Sequence, residues 1–315
     1  MRELRVSGAD SGQRLDKFLK KYLREASGGF IYKMLRKKNI KLNGKRAEGK
    51  EILSPEDLVT LYLAEETIDK FRGDTTRVEL PKMSLDVVYE DQHILLINKP
   101  VGILSQSAKK SDTTLVEYTL SYLQDKGDWN PAMNYRPGLC NRLDRNTSGL
   151  IIGAKTLQGA QAMAELLKNR SLDKYYLTIV SGVVKESQRV QGFLVKDEKT
   201  NRVEIFSHGQ DLPQGQKIET EYIPLANNGG YTLLRVKLIT GKTHQIRAHL
   251  ASLGHPVIGD SKYGGEKIYG LRHQLLHSYE LTFPAMEGDL KSLSEKTFRA
   301  KVPKEFAKIE SKMRL

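Results

Sequence analysis

The second half of this chain is a succession of strand-like runs with little helical pattern between them: 175–180, 192–195, 203–206, 217–222 and 231–239. Strands that recur without a regular strand–helix–strand alternation argue against a parallel, doubly wound sheet. Two more runs precede them, 85–89 and 94–97, separated by the polar turn Glu90-Asp91-Gln92. A further apolar strand is expected at Leu150-Ile151-Ile152, and the alternation of 276–284 adds a late one. The clearest helix is expected over 157–167, where Ala160, Met163, Ala164 and Leu167 form one apolar stripe. The expected class is therefore α+β: a mixed, mostly antiparallel sheet with flanking helices over residues 84–315.

The first 64 residues read differently. Leu15, Phe18, Leu19, Tyr22 and Leu23 recur at helical spacing, with Lys17, Lys20, Lys21 and Arg24 on the other faces. Ser27-Gly28-Gly29 breaks that helix. A second follows, with Ile31, Met34 and Leu35 inward and Lys33, Arg36, Lys37 and Lys38 outward. Ile40-Lys41-Leu42 alternates like a strand, Asn43-Gly44 is a hairpin-turn signal, and 58–63 reads as a closing strand. Between Arg14 and Lys50, thirteen Lys and Arg stand against three acids, so these 37 residues hold ten of the chain's thirteen net positive charges. A small α/β binding module at 1–64 is thus expected, joined by a polar linker at 65–83 to a larger, nearly neutral body. Thr75, Thr76, Gly73 and Pro81 mark that linker.

Such a charge imbalance, with a pI near 9.5, points to a polyanionic partner. One cysteine, Cys140, excludes an internal disulfide and a multi-cysteine zinc site and suits a reducing cytoplasm. The first residues lack a signal-peptide core, and no apolar run approaches the roughly 18 residues of a membrane span. A soluble, cytoplasmic protein without membrane contact, acting as a monomer, is expected.

One nine-residue stretch concentrates the chemistry: Arg142-Leu143-Asp144-Arg145-Asn146-Thr147-Ser148-Gly149-Leu150. A carboxylate stands between two guanidinium groups, in a polar loop just before a buried strand. Nearby positive charge favours the carboxylate form, which is the form a nucleophile needs. The competing reading is a surface ion pair of little energetic value. The tripeptide alone decides nothing, because Arg14-Leu15-Asp16 repeats it; there Asp16 is expected in the first turn of a helix, where the dipole favours it.

A second polar concentration runs from Gly241 through Thr243, His244, Gln245, Arg247 and His249 to His255, Asp260 and Tyr263. A helix is expected to begin near Thr243 as its cap, with Arg247 about one turn in and facing inward. His244 and His249 are five apart, do not share a helix face and make a poor metal pair. Lys99-Pro100-Val101-Gly102 reads in isolation as a strand-ending turn, and His277 as a structural histidine.

Taken in order, these motifs resemble the RluA-type family of pseudouridine synthases. The series is Lys99-Pro100-x-Gly102, Arg142-Leu143-Asp144-x-x-Thr147-Ser148-Gly149-Leu150, Lys174-x-Tyr176, Gly241-Lys242-Thr243-His244-Gln245-Ile246-Arg247-x-His249, Gly254-His255-Pro256, Gly259-Asp260 and Leu276-His277. Residues 12–63 likewise resemble the alpha-L RNA-binding domain, through Arg14-Leu15-Asp16, the basic second helix and Ile40-Lys41-Leu42-Asn43-Gly44-Lys45. The resemblance implies isomerisation of uridine in structured RNA, with large-subunit ribosomal RNA the expected substrate, without cofactor or metal. It makes Asp144 the catalytic aspartate, Arg247 its basic partner and Tyr176 a residue that stacks on uracil and serves in proton removal. Arg142 helps extrude the uridine, and Lys99, Thr147, His244 and Gln245 contact substrate. In the first module Arg14, Lys33, Arg36, Lys37, Lys38 and Lys41 are expected to meet RNA. One departure stands out: Asn141 occupies the place of the family's usual histidine. It alone supports the alternative of a non-catalytic RNA-binding or ribosome-assembly factor on the same scaffold.

Overall fold

A computed structural model describes residues 1–73, 80–107, 109, 112–131, 133–197, 200–208 and 214–315. Two compact units divide the chain: residues 1–83 with 117–138 and 154–161, and residues 84–116 with 139–153 and 162–315. The first unit therefore takes more of the chain than the 64 residues expected of it.

In the first unit, β1 (Arg2–Arg5), β2 (Ile40–Leu42), β3 (Lys45–Arg46) and β4 (Leu58–Leu61) form an antiparallel sheet in the order β1-β4-β2-β3. Two helices, α1 (Leu15–Tyr22) and α2 (Gly28–Arg36), bury the apolar positions that their spacing marks. Phe18, Leu19, Ile31, Leu35 and Ile40 meet in one core. Ser27 caps α2 by accepting the Phe30 N–H at 3.2 Å. Asn43 and Gly44 both take positive φ in the turn between β2 and β3, as an Asn-Gly hairpin requires.

The expected linker is partly structured. Its first eight residues form α3 (Glu65–Arg72), whose Ile68 is fully buried and whose Phe71 packs against the same core. Only two apolar residues in eight, amid mixed charge, disguise this helix. Those charges suit its dipole, with Glu65 and Glu66 in the first turn and Lys70 and Arg72 in the last. Thr75 and Thr76 lie outside the described residues.

The second unit is built on a large sheet. Its strands are β5 (Val87–Glu90), β6 (Ile94–Lys99), β7 (Gly138–Leu139), β8 (Ser148–Ala154), β9 (Asp173–Ser181), β10 (Gln188–Asp197), β11 (Arg202–Phe206), β12 (Gln216–Asn227), β13 (Tyr231–Leu238), β14 (Leu276–Thr282) and β15 (Thr297–Arg299). The main path runs β11-β10-β12-β13-β9-β14-β8-β6-β5, with β15 on β14 and β7 on β8. Pairing is antiparallel from β11 through to β14, while β14 and β8 run parallel. This is the mixed, mostly antiparallel α+β sheet expected from the strand pattern. Four more helices complete the chain: α4 (Leu115–Asp125), α5 (Leu157–Asn169), α6 (Gln245–Ser252) and α7 (Lys304–Met313). Of these, α6 and α7 lie wholly within the second unit. Among the described residues, no helix is long and apolar enough to cross a membrane.

The parallel contact between β8 and β14 explains one glycine. Ser278 lies opposite Gly149, whose φ is +107°, and a Cβ there would fall 2.1 Å from the Ser278 carbonyl oxygen. The Thr-Ser-Gly motif thus lets β8 lie against β14 immediately after the Asp144 loop. One apolar cluster then holds the site elements together: Leu143 from the loop, Tyr176 from β9, Leu234 and Val236 from β13, and Ile246 and Leu250 from α6.

Candidate active site

The Asp144 loop is clamped along its backbone. Leu143 points into the core, and its amide donates to Ser105 Oγ at 3.0 Å while Ser105 Oγ donates to its carbonyl at 2.8 Å. Two residues on, the Arg145 carbonyl accepts from the Gly102 amide at 2.9 Å and from Lys99 Nζ at 3.0 Å. The Thr147 amide donates back to the Asp144 carbonyl at 3.1 Å and closes the turn. Before the loop, Asn141 Oδ1 accepts the Ile152 N–H of β8 at 2.8 Å. The residue that departs from the family pattern therefore pins the loop to the strand.

Lys99 is not placed to touch substrate. It is fully buried, and Nζ donates to the carbonyls of Pro100 and Ile103, both at 2.9 Å, as well as to Arg145. All three donors of an ammonium are thereby spent. Burial pushes its pKa down to about 8, against the opposing pull of Asp144. Thr147 is also enclosed, with Oγ1 accepting from Gln274 Nε2 at 3.3 Å. Gln245 is spent on the fold: Oε1 accepts from Thr240 Oγ1 and the Lys242 amide, while Nε2 donates to Thr220 Oγ1 and the Glu219 carbonyl. The chain's own groups thus occupy Lys99 and Gln245 fully and the acceptor side of Thr147 Oγ1.

Helix α6 supplies the counter-charge. It begins one residue later than expected: His244 is its cap and adopts a left-handed conformation, φ +52°. Arg247, on the first turn, points inward. Its Nε and Nη2 form a fork on Asp260 at 2.6 and 2.8 Å, and Nη1 reaches Asp144 Oδ2 at 2.8 Å. Burial alone would lower the arginine pKa, but the hydrogen bonds and charges of Asp260 and Asp144 raise it well above the ordinary range. The side chain of Asp260 is 2% exposed and that of Asp144 is 28% exposed. One carboxylate therefore anchors the guanidinium from the protein side, and the other faces outward across it. Asp260 stands in the motif series, but a buried fork to a residue thirteen positions earlier has no sequence period that reveals it.

Tyr176 lines the same place. It is 6% exposed, in the register of β9 opposite Ser278 of β14 and Val236 of β13. Burial, with a smaller contribution from Asp144, pushes its phenol up to about 12, although a hydrogen bond with Ser278 opposes this. The phenol is thus protonated at neutral pH. The two arginines flanking Asp144 are exposed, and neither side chain has a hydrogen-bond or ion-pair partner among the described residues. His277 is fully buried; Nδ1 lies 2.9 Å from Ser148 Oγ and Nε2 lies 3.4 Å from the Ala300 carbonyl. Burial lowers its pKa to about 4, which fits the structural role read for it.

In the first unit, Lys33, Arg36, Lys37 and Lys38 are exposed, as their helical spacing implies. Arg14 instead forks onto Asp16 at 3.1 and 2.8 Å, and Lys41 lies 5.0 Å from the centre of the exposed Tyr62 ring.

Residues 93–252, which carry the loop, Tyr176 and Arg247, match the model of the family described as RNA pseudouridylate synthase. The chain belongs to the RluA-type family of RNA pseudouridine synthases. It is 33% identical over 255 residues to the ribosomal large subunit pseudouridine synthase D of Borreliella burgdorferi, covering 78% of this chain and 74% of that protein. An uncharacterized RNA pseudouridine synthase of Mycoplasma genitalium is 29% identical over 293 residues, covering 90% of this chain and 89% of the other. Among solved structures, human RNA pseudouridylate synthase domain containing 4 superposes with a TM-score of 0.58 at 22% identity, over 72% of this chain and 92% of that one. That likeness supports the synthase fold. As a pseudouridine synthase, this protein exchanges the bond joining uracil N1 to the ribose for one to C5, with loss of the C5 proton and gain of one at N1.

Proposed function

We propose that this synthase modifies uridine in structured RNA of the large ribosomal subunit, with Asp144 as the catalytic carboxylate. The observation that carries this is the asymmetry of the Arg247 guanidinium. Its fork is fixed on buried Asp260, and its remaining nitrogen holds one oxygen of the partly exposed Asp144. Asp144 Oδ1 has no hydrogen-bond partner among the described residues, so one carboxylate oxygen is oriented and available.

The remaining roles follow from this placement. Tyr176, protonated at neutral pH, supplies an aromatic wall and a hydroxyl rather than a resting base. Exposed Arg142 is suited to the RNA, because its guanidinium is not committed to Asp144. A base that must be detached, turned and rejoined cannot react inside a stack, so the uridine is extruded into the site. The exposed cations of α2 and the residues after it contact phosphates and dock the RNA. The choice of ribosomal RNA draws on relatives named as large-subunit synthases, from Borreliella burgdorferi, Yersinia pestis and Vibrio vulnificus.

The test is direct. Purified protein is incubated with unmodified large-subunit and small-subunit ribosomal RNA, and pseudouridine is quantified by mass spectrometry of the digested nucleosides. Pseudouridine should rise in the large-subunit RNA alone. No rise in that RNA, or release of free uracil in its place, overturns the proposal.

A further inference from the structure

Tyr263 stands behind the site without touching Asp144. Its hydroxyl accepts the Val203 N–H at 3.1 Å and lies 2.9 Å from His244 Nδ1. Its ring meets the His244 ring edge-on, with centroids 5.7 Å apart and planes at 74°, and the Arg247 guanidinium carbon is 5.2 Å from its centre. On its far side, His244 Nε2 is 3.9 Å from Asp144 Oδ2. One phenol is thus packed against both groups that face the carboxylate.

The hydrogen bonds around Tyr263 favour one place for the imidazole proton. The Tyr263 hydroxyl carries one proton, and the Val203 amide already uses its acceptor side. Were Nδ1 protonated, the phenol would accept twice and its own proton would be left without a partner among the described residues. Donation from the phenol to Nδ1 satisfies all three groups and leaves the histidine proton on Nε2. Burial and the nearby Arg247 and Lys262 favour the neutral imidazole, against the pull of Asp144 and Asp260.

We infer that Tyr263 is a positioning residue of the synthase: it holds His244 as the Nε2–H tautomer and aims that proton at the space beside Asp144. At 3.9 Å the contact is too long for a hydrogen bond to the carboxylate. The donor is therefore free for an oxygen of the nucleoside bound next to Asp144. Arg247 and His244 then divide the work, one orienting the carboxylate and the other the nucleoside. The second half rests on Asp144 being the catalytic carboxylate proposed above; the tautomer does not.

The experiment separates the two. Full-length protein labelled with nitrogen-15 in histidine reports the tautomer of each ring by its two nitrogen shifts, and loss of one set in His244→Gln assigns His244. The wild type should show protonated Nε2 and bare Nδ1, and Tyr263→Phe should mix the two forms. In single-turnover and steady-state assays on RNA, Tyr263→Phe should lower kcat on the order of tenfold with KM nearly unchanged, as for one misdirected hydrogen bond. His244→Gln, whose amide nitrogen can stand near the position of Nε2, should retain more activity than His244→Asn. A wild-type His244 protonated on Nδ1, or a Tyr263→Phe variant with wild-type tautomer and kcat, overturns the assignment. Asp144→Asn protein that still makes pseudouridine at the wild-type rate refutes the catalytic reading of Asp144 and leaves the tautomer result standing.

Discussion

The same tripeptide, Arg-Leu-Asp, occurs twice in this chain and has opposite fates. At 14–16 it is closed on itself. Leu15 is buried, Asp16 sits in the first turn of α1, and Arg14 forks onto Asp16 with Nε and Nη2, while the Tyr32 hydroxyl donates to Asp16 Oδ2 at 2.6 Å. Every charge is answered within 18 residues. At 142–144 the leucine is again the buried anchor, but the arginine is exposed and unpaired among the described residues. Its aspartate pairs instead with Arg247, 103 residues away. The difference is backbone geometry. Entry into a helix places i and i+2 where they can meet, whereas a loop pinned at Leu143 and Arg145 turns its arginine and its aspartate to different surroundings. An acid whose own neighbour neutralises it is structural; an acid whose neighbour is turned away can face a ligand.

The sharpest break of that comparison is the pair Asp144→Asn and Asp16→Asn. Asp144→Asn should lower kcat by roughly 10⁴-fold or more, as removal of a catalytic nucleophile does, while RNA affinity measured by filter binding stays within a few fold. Activity near wild type would make the second tripeptide as structural as the first. Next in size is Asp260→Asn, which removes the anchor of the guanidinium. A buried arginine left without half of its fork should cost on the order of 3–5 kcal/mol in urea unfolding. The rate should fall as well, because Arg247 then no longer has a fixed direction in which to hold Asp144. Full stability in that variant would mean that the fork on Asp260 does not support the site.

Much of this was legible in the sequence, for physical reasons that differ by element. Helices α1 and α2 each carry a repeated apolar face, and β9 to β13 are separate runs bounded by polar or glycine-rich segments, so periodicity sufficed. Helix α3 escaped because two anchors, Ile68 and Phe71, do not make a stripe. Arg247 could be expected to face inward from its place on a helix, and the motif series linked it to Asp144. Nothing local told that Asp260 takes two of its nitrogens. Lys99, Thr147 and Gln245 were read toward substrate because the resemblance to the synthase family implied it; their own residue pattern did not. Part of their hydrogen bonding is local, to Pro100 and Ile103 for Lys99 and to Thr240 and Lys242 for Gln245, and the rest goes to Arg145, Glu219, Thr220 and Gln274, which only the folded chain brings together.

The first unit offers a milder contrast, between its closed pair and its open cations. Replacing Arg36, Lys37 and Lys38 with Ala should weaken RNA binding and reduce its salt dependence by up to about three units of slope, one for each phosphate no longer neutralised. An unchanged slope would show that these residues are only a solvated face.

Asp16→Asn should have the smallest effect, and its direction is the informative part. Arg14 is 42% exposed, so solvent weakens its pair with Asp16, and exposed pairs contribute little to stability. Asn keeps a carbonyl oxygen for the Tyr32 hydroxyl but gives up the charge at the helix start. Folding stability should therefore fall only slightly, and pseudouridine formation on RNA should be unchanged at saturating enzyme. Urea unfolding and the nucleoside assay, run side by side on Asp16→Asn and Asp144→Asn, read the two tripeptides on the same two axes. If Asp16→Asn instead abolished activity at saturation with its stability intact, closure within the first tripeptide would not mean a structural role, and the exposed Arg142 would no longer distinguish the second.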